Sequence, residues 1–300
     1  KGSGTPRQRE EKSAMAKVII CVHGRANKPE PKTLTNWWTT SINEGLERNL
    51  GTSLGSIPVK MAYYSDVCFK RPLKDKDNDE PYLPAKTDPQ RYRRRMVDRI
   101  RGTFGNWADN PIDWLEENSA IFSKLAKTVL RKVMTDLGDY YGNESRRSRI
   151  QQRLIDLIEE HKDDEILLLS HSMGTIVAYD VLRDLGRSEQ HAGLTIEHLV
   201  TMGSPLGLTA VKGNIITEHN ERLRTPSCVS RAWVNFSDPQ DYVCVDSHLA
   251  DEYDENSRLV RVSDQMVCNE YVGRKGKPNE HKSFGYLRSP EVSDLVARFL

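Results

Sequence analysis

Glu165-Ile166-Leu167-Leu168-Leu169-Ser170-His171-Ser172-Met173-Gly174-Thr175 is the stretch from which the rest of the chain is read. Ile166 to Leu169 form a short unbroken apolar run, the pattern of a parallel strand buried on both faces. From Thr175 to Leu185 the apolar residues recur at helical spacing instead. A serine on so sharp a strand-to-helix turn is forced into a strained backbone conformation. The residues two before and two after it must be small, or strand and helix cannot approach one another. Ser170 and Gly174 meet that demand, which makes Ser172 the candidate nucleophile.

The flanking sequence predicts a framework for this turn. Lys17 to Val22 is a second short apolar run, ending at His23-Gly24, and after a loop with Asn27, Pro29 and Pro31 the residues Leu34 to Leu50 have helical spacing until Gly51 stops them. Ile57 to Tyr64 comes next as a strand, giving a strand-helix-strand crossover unit. Between Ser65 and about Gly142 the pattern changes, because charge runs at Lys74 to Asp77 and Arg91 to Arg95 interrupt any strand period. Within that segment Ile112 to Leu137 reads as helix, and the whole of 65–142 is expected to be an insertion that caps the site. Ile150 to Glu160 is an amphipathic helix; Leu194 to Met202, Arg231 to Phe236 and Gln265 to Val272 are strand candidates; Pro290 to Leu300 is a last helix opened by proline. The alternation predicts an α/β fold, a mostly parallel sheet covered by helices on both faces. Lys1 to Ala14 has no apolar period and stops just before Met15, so it reads as a leader outside a domain spanning 15–300.

Composition narrows the functional classes. Lys and Arg total 44 against 43 Asp and Glu, a formal net charge of +1, so no global field points to nucleic acid or to an anionic membrane. Neither a signal segment after Met15 nor a stretch of about 18 apolar residues is present, and a soluble, cytoplasmic protein is expected. Cys21, Cys68, Cys228, Cys244 and Cys268 are odd in number and lack close C-x-x-C spacing, which predicts reduced thiols rather than disulfides or a zinc site. No H-E-x-x-H, dinucleotide glycine fingerprint or phosphate-binding loop occurs, so neither metal nor organic cofactor is expected.

Ser170-His171-Ser172-Met173-Gly174, set between strand and helix, resembles the nucleophile elbow of the α/β-hydrolase superfamily, with serine at position 170 where the pattern G-x-S-x-G has glycine. His171-Ser172-Met173-Gly174-Thr175 and Gly203-Ser204-Pro205-Leu206 look like the lipase and esterase branch. The resemblance covers nearly everything from Met15 onward except the 65–142 insertion. It implies a Ser-acid-His chain order. A serine hydroxyl needs a base within hydrogen-bond reach. His281, in a loop after the last strand candidate and before the terminal helix, is where the fold delivers that base; His248, in an acidic loop, is the second choice. The acid belongs just past the strand Arg231 to Phe236, where Asp238 and Asp241 both qualify. Asp241 is preferred because it precedes Tyr242-Val243, as family members place their acid before an apolar pair. Asp246 and Asp251 read as solvated loop charges.

Two backbone N–H groups are required to hold a developing oxyanion. One belongs to Met173, at the positive end of its helix, and the resemblance assigns the other to the loop His23-Gly24-Arg25, where Arg25 supplies the amide, with an ordinary strand-end turn as the alternative. His23 then orients the loop. Ser204 and Leu206 lie at the same sheet edge and are candidates for the acyl pocket, with a plain turn as the equal alternative. Arg91 to Arg95 reads as a solvated helix face rather than a phosphate or lipid site. Trp37, Trp38, Trp107 and Trp114 read as core or rim packing rather than an acyl surface. These residues predict an ester hydrolase, working through an acyl-enzyme on a small-molecule or lipid ester. A thioesterase, amidase or phospholipase on the same residues is the near alternative. A catalytically silent hydrolase scaffold used for binding is the distant one.

Overall fold

The computed structural model describes residues 15–93, 124–244 and 246–300. Among these residues six strands form one sheet in the order β2-β1-β3-β4-β5-β6, and every neighbouring pair is parallel. They are β1 (Lys17–Val22), β2 (Val59–Ala62), β3 (Glu165–His171), β4 (Ile196–Met202), β5 (Val229–Ser237) and β6 (Val262–Met266). The register aligns Val22 with Ser170 and His171 with Met202, so β1, β3 and β4 end side by side at one carboxyl edge.

Alternation along the strands sorts side chains into two cores. Val18, Ile20 and Val22 of β1 with Ile166 and Leu168 of β3 face one side, against α4 (Glu144–Glu160) and α5 (Met173–Leu185). Ile19, Cys21, Leu167 and Leu169 face the other, against α1 (Pro31–Leu50) and α8 (Pro290–Phe299). Each fully buried Leu, Ile or Val contributes roughly 1.5–3 kcal/mol over its exposed state, so a β3 buried along nearly its whole length is a rigid mount for the serine turn at its end. Proline at the first turn of α8 and left-handed Gly51 after α1 set helix ends where the sequence put them, whereas α1 starts at Pro31, three residues before the expected Leu34, because proline suits a first helical turn.

Four departures from the expectations are instructive. The last strand is Val262–Met266, not Gln265 to Val272; Val267 and Tyr271 are buried in the core from irregular backbone, and Val272 makes only an isolated bridge to Pro278. Burial of those apolar residues imitates a strand period without a ladder. The sequence pattern also gave no sign of α6 (Thr209–His219) or α7 (Ser283–Leu287). Between β2 and α4 lie a short α2 (Ser65–Cys68), a single helical turn at Asp75–Asp77, and α3 (Lys124–Tyr141). Leader residues 1–14, together with Ile112 to Ile121, Trp107, Trp114, Arg94 and Arg95, lie outside the described residues. The described part of the arginine run, 91–93, is not helical, and Arg91 pairs with Asp294 at 2.7 Å.

Candidate active site

The turn after β3 carries the strain expected of it. Ser172 has φ 54° and ψ −131°, and its N–H donates to Met202 O at 3.0 Å, extending the β3–β4 ladder by one bond before the chain breaks into α5. A Cβ on Gly174 would lie 2.5 Å from Val22 O and 2.6 Å from His23 O, so only glycine lets the first turn of α5 rest on the end of β1. Ser170 replaces the other glycine at no cost in unsatisfied polarity, because its fully buried hydroxyl donates to Val200 O at 2.7 Å.

His281 Nε2 stands 2.9 Å from Ser172 Oγ, and its Nδ1 stands 2.8 Å and 3.0 Å from the two oxygens of Asp241. The Asp241 side chain has no exposure while the imidazole is 28% exposed, open to a substrate on one side and fixed on the other. Asp241 Oδ1 also accepts from Val243 N at 2.9 Å, and Oδ2 from the Tyr286 hydroxyl at 2.8 Å. A carboxylate so supplied with donors keeps its orientation without water.

Asp238 sits elsewhere. Its oxygens accept from Gln240 N at 2.7 Å and Asn269 N at 2.6 Å, and burial pushes its carboxyl up to about 6 despite those bonds. The Asn269 it holds donates from Nδ2 to Glu280 O at 2.7 Å and Lys282 O at 2.9 Å. Between those carbonyls, His281 O lies 2.7 Å from His171 Nε2, which must then be the protonated nitrogen. Burial, and then the neighbouring His281 and Lys28, pull the His171 ring well below its ordinary pKa, so it remains neutral. Three successive carbonyls of the His281 loop are thus pinned by side chains that lie outside it in sequence. His171, Asn269 and Tyr286 were not singled out in the sequence. They act through backbone carbonyls or another side chain's carboxylate, for which no motif exists.

The loop after β1 completes the surroundings. A Cβ on Gly24 would come within 2.8 Å of Ser172 Cβ, so this loop lies directly against the serine. His23 is buried: Nδ1 donates to Gly24 O at 2.8 Å, Nε2 accepts from Tyr64 N at 3.1 Å, and the ring stacks on Tyr64. Burial, and then the Lys28 charge, lower its pKa to about 3, which fits a neutral structural ring. Met173 is the first residue of α5, where helical N–H groups lack intrahelical acceptors.

Ser172 and His281 open into a cavity of about 510 Å³. Leu34, Trp37, Trp38 and Phe284 supply its apolar wall, and Lys28, Asp79, Glu80 and Lys282 its polar one. Trp37 packs edge-on against Phe284, with ring centres 6.0 Å apart. Both tryptophans therefore face the cavity as well as packing in the rim. Leu73, Asp77 to Glu80, Val133 and Asp136 bring parts of the 65–142 segment into the lining.

Two expectations are corrected. Ser204 and Leu206 do not line this cavity: Leu206 is fully buried in the core, and Ser204 Oγ bonds Thr175 Oγ1 at 2.9 Å and accepts from Leu206 N at 3.2 Å. Thr175 Oγ1 in turn donates to Ser172 O at 2.7 Å, so Ser204 braces the turn from beneath. Asp246 is half-buried rather than solvated, with its carboxyl raised by desolvation, whereas Asp251 is exposed. His248 is exposed and its ring bonds Ser247, away from Ser172. All five cysteines are free, and among the described residues no group of three or more potential ligands is placed to hold a metal ion. No helix among the described residues is long and apolar enough to cross a membrane.

An all-parallel six-stranded sheet with helices on both faces, broken at its carboxyl edge by a strained serine turn between β3 and α5, is the α/β-hydrolase fold. A family model described as "Alpha/beta hydrolase of unknown function (DUF900)" matches residues 138–222. That span holds Ser172 with β3, α5, β4 and α6, and stops short of Asp241 and His281. A comparison with curated proteins gave no match.

Proposed function

We propose that this protein is a serine hydrolase that cleaves a carboxylic ester through an acyl-enzyme, with Ser172 as nucleophile, His281 as general base and acid, and Asp241 as the group that orients the imidazole. The observation that carries the reading is the chain of contacts from Ser172 Oγ to His281 Nε2 at 2.9 Å and from His281 Nδ1 to Asp241 at 2.8 Å, opening on a cavity. A cavity of about 510 Å³ with one aromatic wall suits a small or medium-sized ester whose apolar part lies on Trp37 and Phe284.

In the first half-reaction the Ser172 hydroxyl gives its proton to His281 Nε2 as Oγ bonds to the ester carbonyl carbon. The carbonyl electron pair moves onto its oxygen, where the N–H groups of Met173 and Arg25 receive the negative charge. The oxyanion collapses, the bond to the leaving oxygen breaks, and the imidazolium returns its proton to the departing alcohol. Water then adds to the acyl-enzyme by the same sequence, releasing the acid and restoring the serine. Asp241 keeps the proton on Nδ1 throughout, so Nε2 is the free base facing the serine.

A fluorophosphonate probe tests this directly, since only an activated serine reacts. Modification of the peptide containing Ser172, and hydrolysis of p-nitrophenyl esters that disappears in Ser172→Ala, are expected. A folded protein that neither labels nor hydrolyses any ester, thioester or amide tested would instead mark a silent binding scaffold. Acyl chains of rising length separate an esterase from a lipase or phospholipase.

A further inference from the structure

The loop that brings Arg25 to the serine is strained and is held from outside itself. Ala26, the next residue, has φ 101°, a conformation that a residue with a side chain keeps only where its surroundings impose it. On the β1 side the loop is fixed by His23 and Tyr64, whose hydroxyl donates to His23 O at 2.5 Å. Beyond the bend, Asn27 Nδ2 donates to Arg71 O and Lys28 N to Ser65 Oγ, each at 3.0 Å. At the bend itself the Arg25 side chain reaches across to α3. Its Nη1 donates to Asp136 O at 3.0 Å, its Nε lies 3.2 Å from Asp136 Oδ1, and its Nη2 donates to Asp139 Oδ2 at 2.7 Å. All three contacts are on the last turns of α3, within the 65–142 segment. That end of α3 is itself fixed: Leu137 and Tyr140 are buried in the core, and the Tyr140 hydroxyl donates to Asp180 at 3.1 Å.

We propose that the Arg25 side chain is a positioning residue that grips α3 at Asp136 and Asp139 and so holds the Gly24-Arg25-Ala26 bend with its backbone N–H in place for the oxyanion. The inserted segment then completes the active site, besides lining its cavity. A planar guanidinium with donors on three sides suits this role, because one group fixes both distance and rotation of the loop. The inference rests on the serine-hydrolase reading above and adds to it the means by which the second oxyanion donor is set.

The test compares Arg25→Ala, Arg25→Lys and Asp139→Asn with the parent protein, using p-nitrophenyl acetate as substrate and an alkyl trifluoromethyl ketone as an inhibitor that forms an oxyanion on the serine. Arg25→Ala is expected to lower kcat by about 10–100-fold, since a displaced donor costs somewhat less than a deleted one. KM should stay within about twofold, and the inhibitor Ki should rise by about the factor lost from kcat. Arg25→Lys should recover part of both. Asp139→Asn, altering a part-exposed side chain, should give a smaller loss in the same two quantities, and the double variant with Arg25→Ala should be no worse than Arg25→Ala alone. Folded Arg25→Ala with unchanged kcat and Ki overturns the proposal, as does a kcat loss with no change in Ki. Should Arg25→Ala fail to fold, an Asp139→Asn protein that shifts neither quantity overturns it equally. Full esterase activity in Ser172→Ala would instead sink the underlying reading, which keeps the two failures apart.

Discussion

Replacing Asp241 by asparagine changes no volume and one atom, yet the contacts around it make the consequence specific. Val243 N–H donates to Oδ1, so the asparagine carbonyl oxygen is held at that position and the new NH₂ group takes the place of Oδ2. That place now accepts from three donors, His281 Nδ1 at 2.8 Å, the Tyr286 hydroxyl at 2.8 Å and Cys244 Sγ at 3.6 Å. All become donor-against-donor contacts, and the imidazole keeps only its longer 3.0 Å approach to Oδ1. The imidazole escapes the conflict by moving its proton to Nε2, which then points a hydrogen at Ser172 Oγ and can no longer take one. The Tyr286 hydroxyl already accepts from Asp238 N at 3.0 Å, so it must find another acceptor for its own hydrogen. A wrong tautomer in a Ser-His-Asp system costs about 10⁴-fold in kcat, equivalent to about 5 kcal/mol of transition-state stabilisation. The lost charged hydrogen bond should also lower folding stability by roughly 2 kcal/mol. Stopped-flow or steady-state hydrolysis of p-nitrophenyl acetate, with active sites titrated by a fluorophosphonate, reads the first effect, and urea denaturation reads the second. Asp241→Asn protein that is folded and keeps more than about a tenth of parental kcat would refute the reasoning, as would an equal loss in Asp238→Asn with Asp241 intact.

Other perturbations probe other parts of the structure. The Asp238 carboxyl has a folded-state pKa of about 6, above its unfolded value, so the fold binds more protons than the unfolded chain between about pH 4 and 6 and this residue's contribution to stability falls as pH rises through that window. Thermal melts should show that loss, roughly 3 kcal/mol at full extent, and Asp238→Asn should flatten it; an unchanged slope would refute the assignment. Gly174→Ala places a methyl 2.5 Å from Val22 O, and should destabilise the protein by roughly 2–3 kcal/mol in urea denaturation, with kcat falling as the turn shifts. Trp37→Ala removes part of the apolar wall and should raise KM for p-nitrophenyl butyrate about tenfold while leaving the acetate ester within about threefold, because two methylenes lose their contact; equal effects on both esters would place the acyl group elsewhere.

Local chemistry made much of the scaffold readable. Apolar runs such as Val18 to Val22 and Ile166 to Leu169 read as strands buried on two faces, and Ser170-His171-Ser172-Met173-Gly174 as a tight turn, because burial and steric limits act within a few residues. Chain order then nominated His281 and the pair Asp238 and Asp241. Sequence ranked Asp241 first only from the Tyr242-Val243 that follows it, since both carboxylates lie on one loop. Only the packing of α7 and the segment around Asn269 turns one toward the imidazole and the other toward backbone N–H groups. Ser204 and Leu206 were legible as edge residues but not as inward-facing ones, since the direction of a loop side chain has no period to reveal it.

The sequence by itself determined the individual strands, the serine turn and the small residues that permit it, because each arises from interactions between near neighbours along the chain. Tertiary structure alone decided that Ser172 and His281, 109 positions apart, meet at 2.9 Å. It also decided that His171 and Asn269 pin the loop carrying the imidazole and that Arg25 reaches across to Asp136 and Asp139. Contacts of that kind depend on where the assembled sheet delivers each loop end, a property of the whole fold that no short stretch of residues encodes.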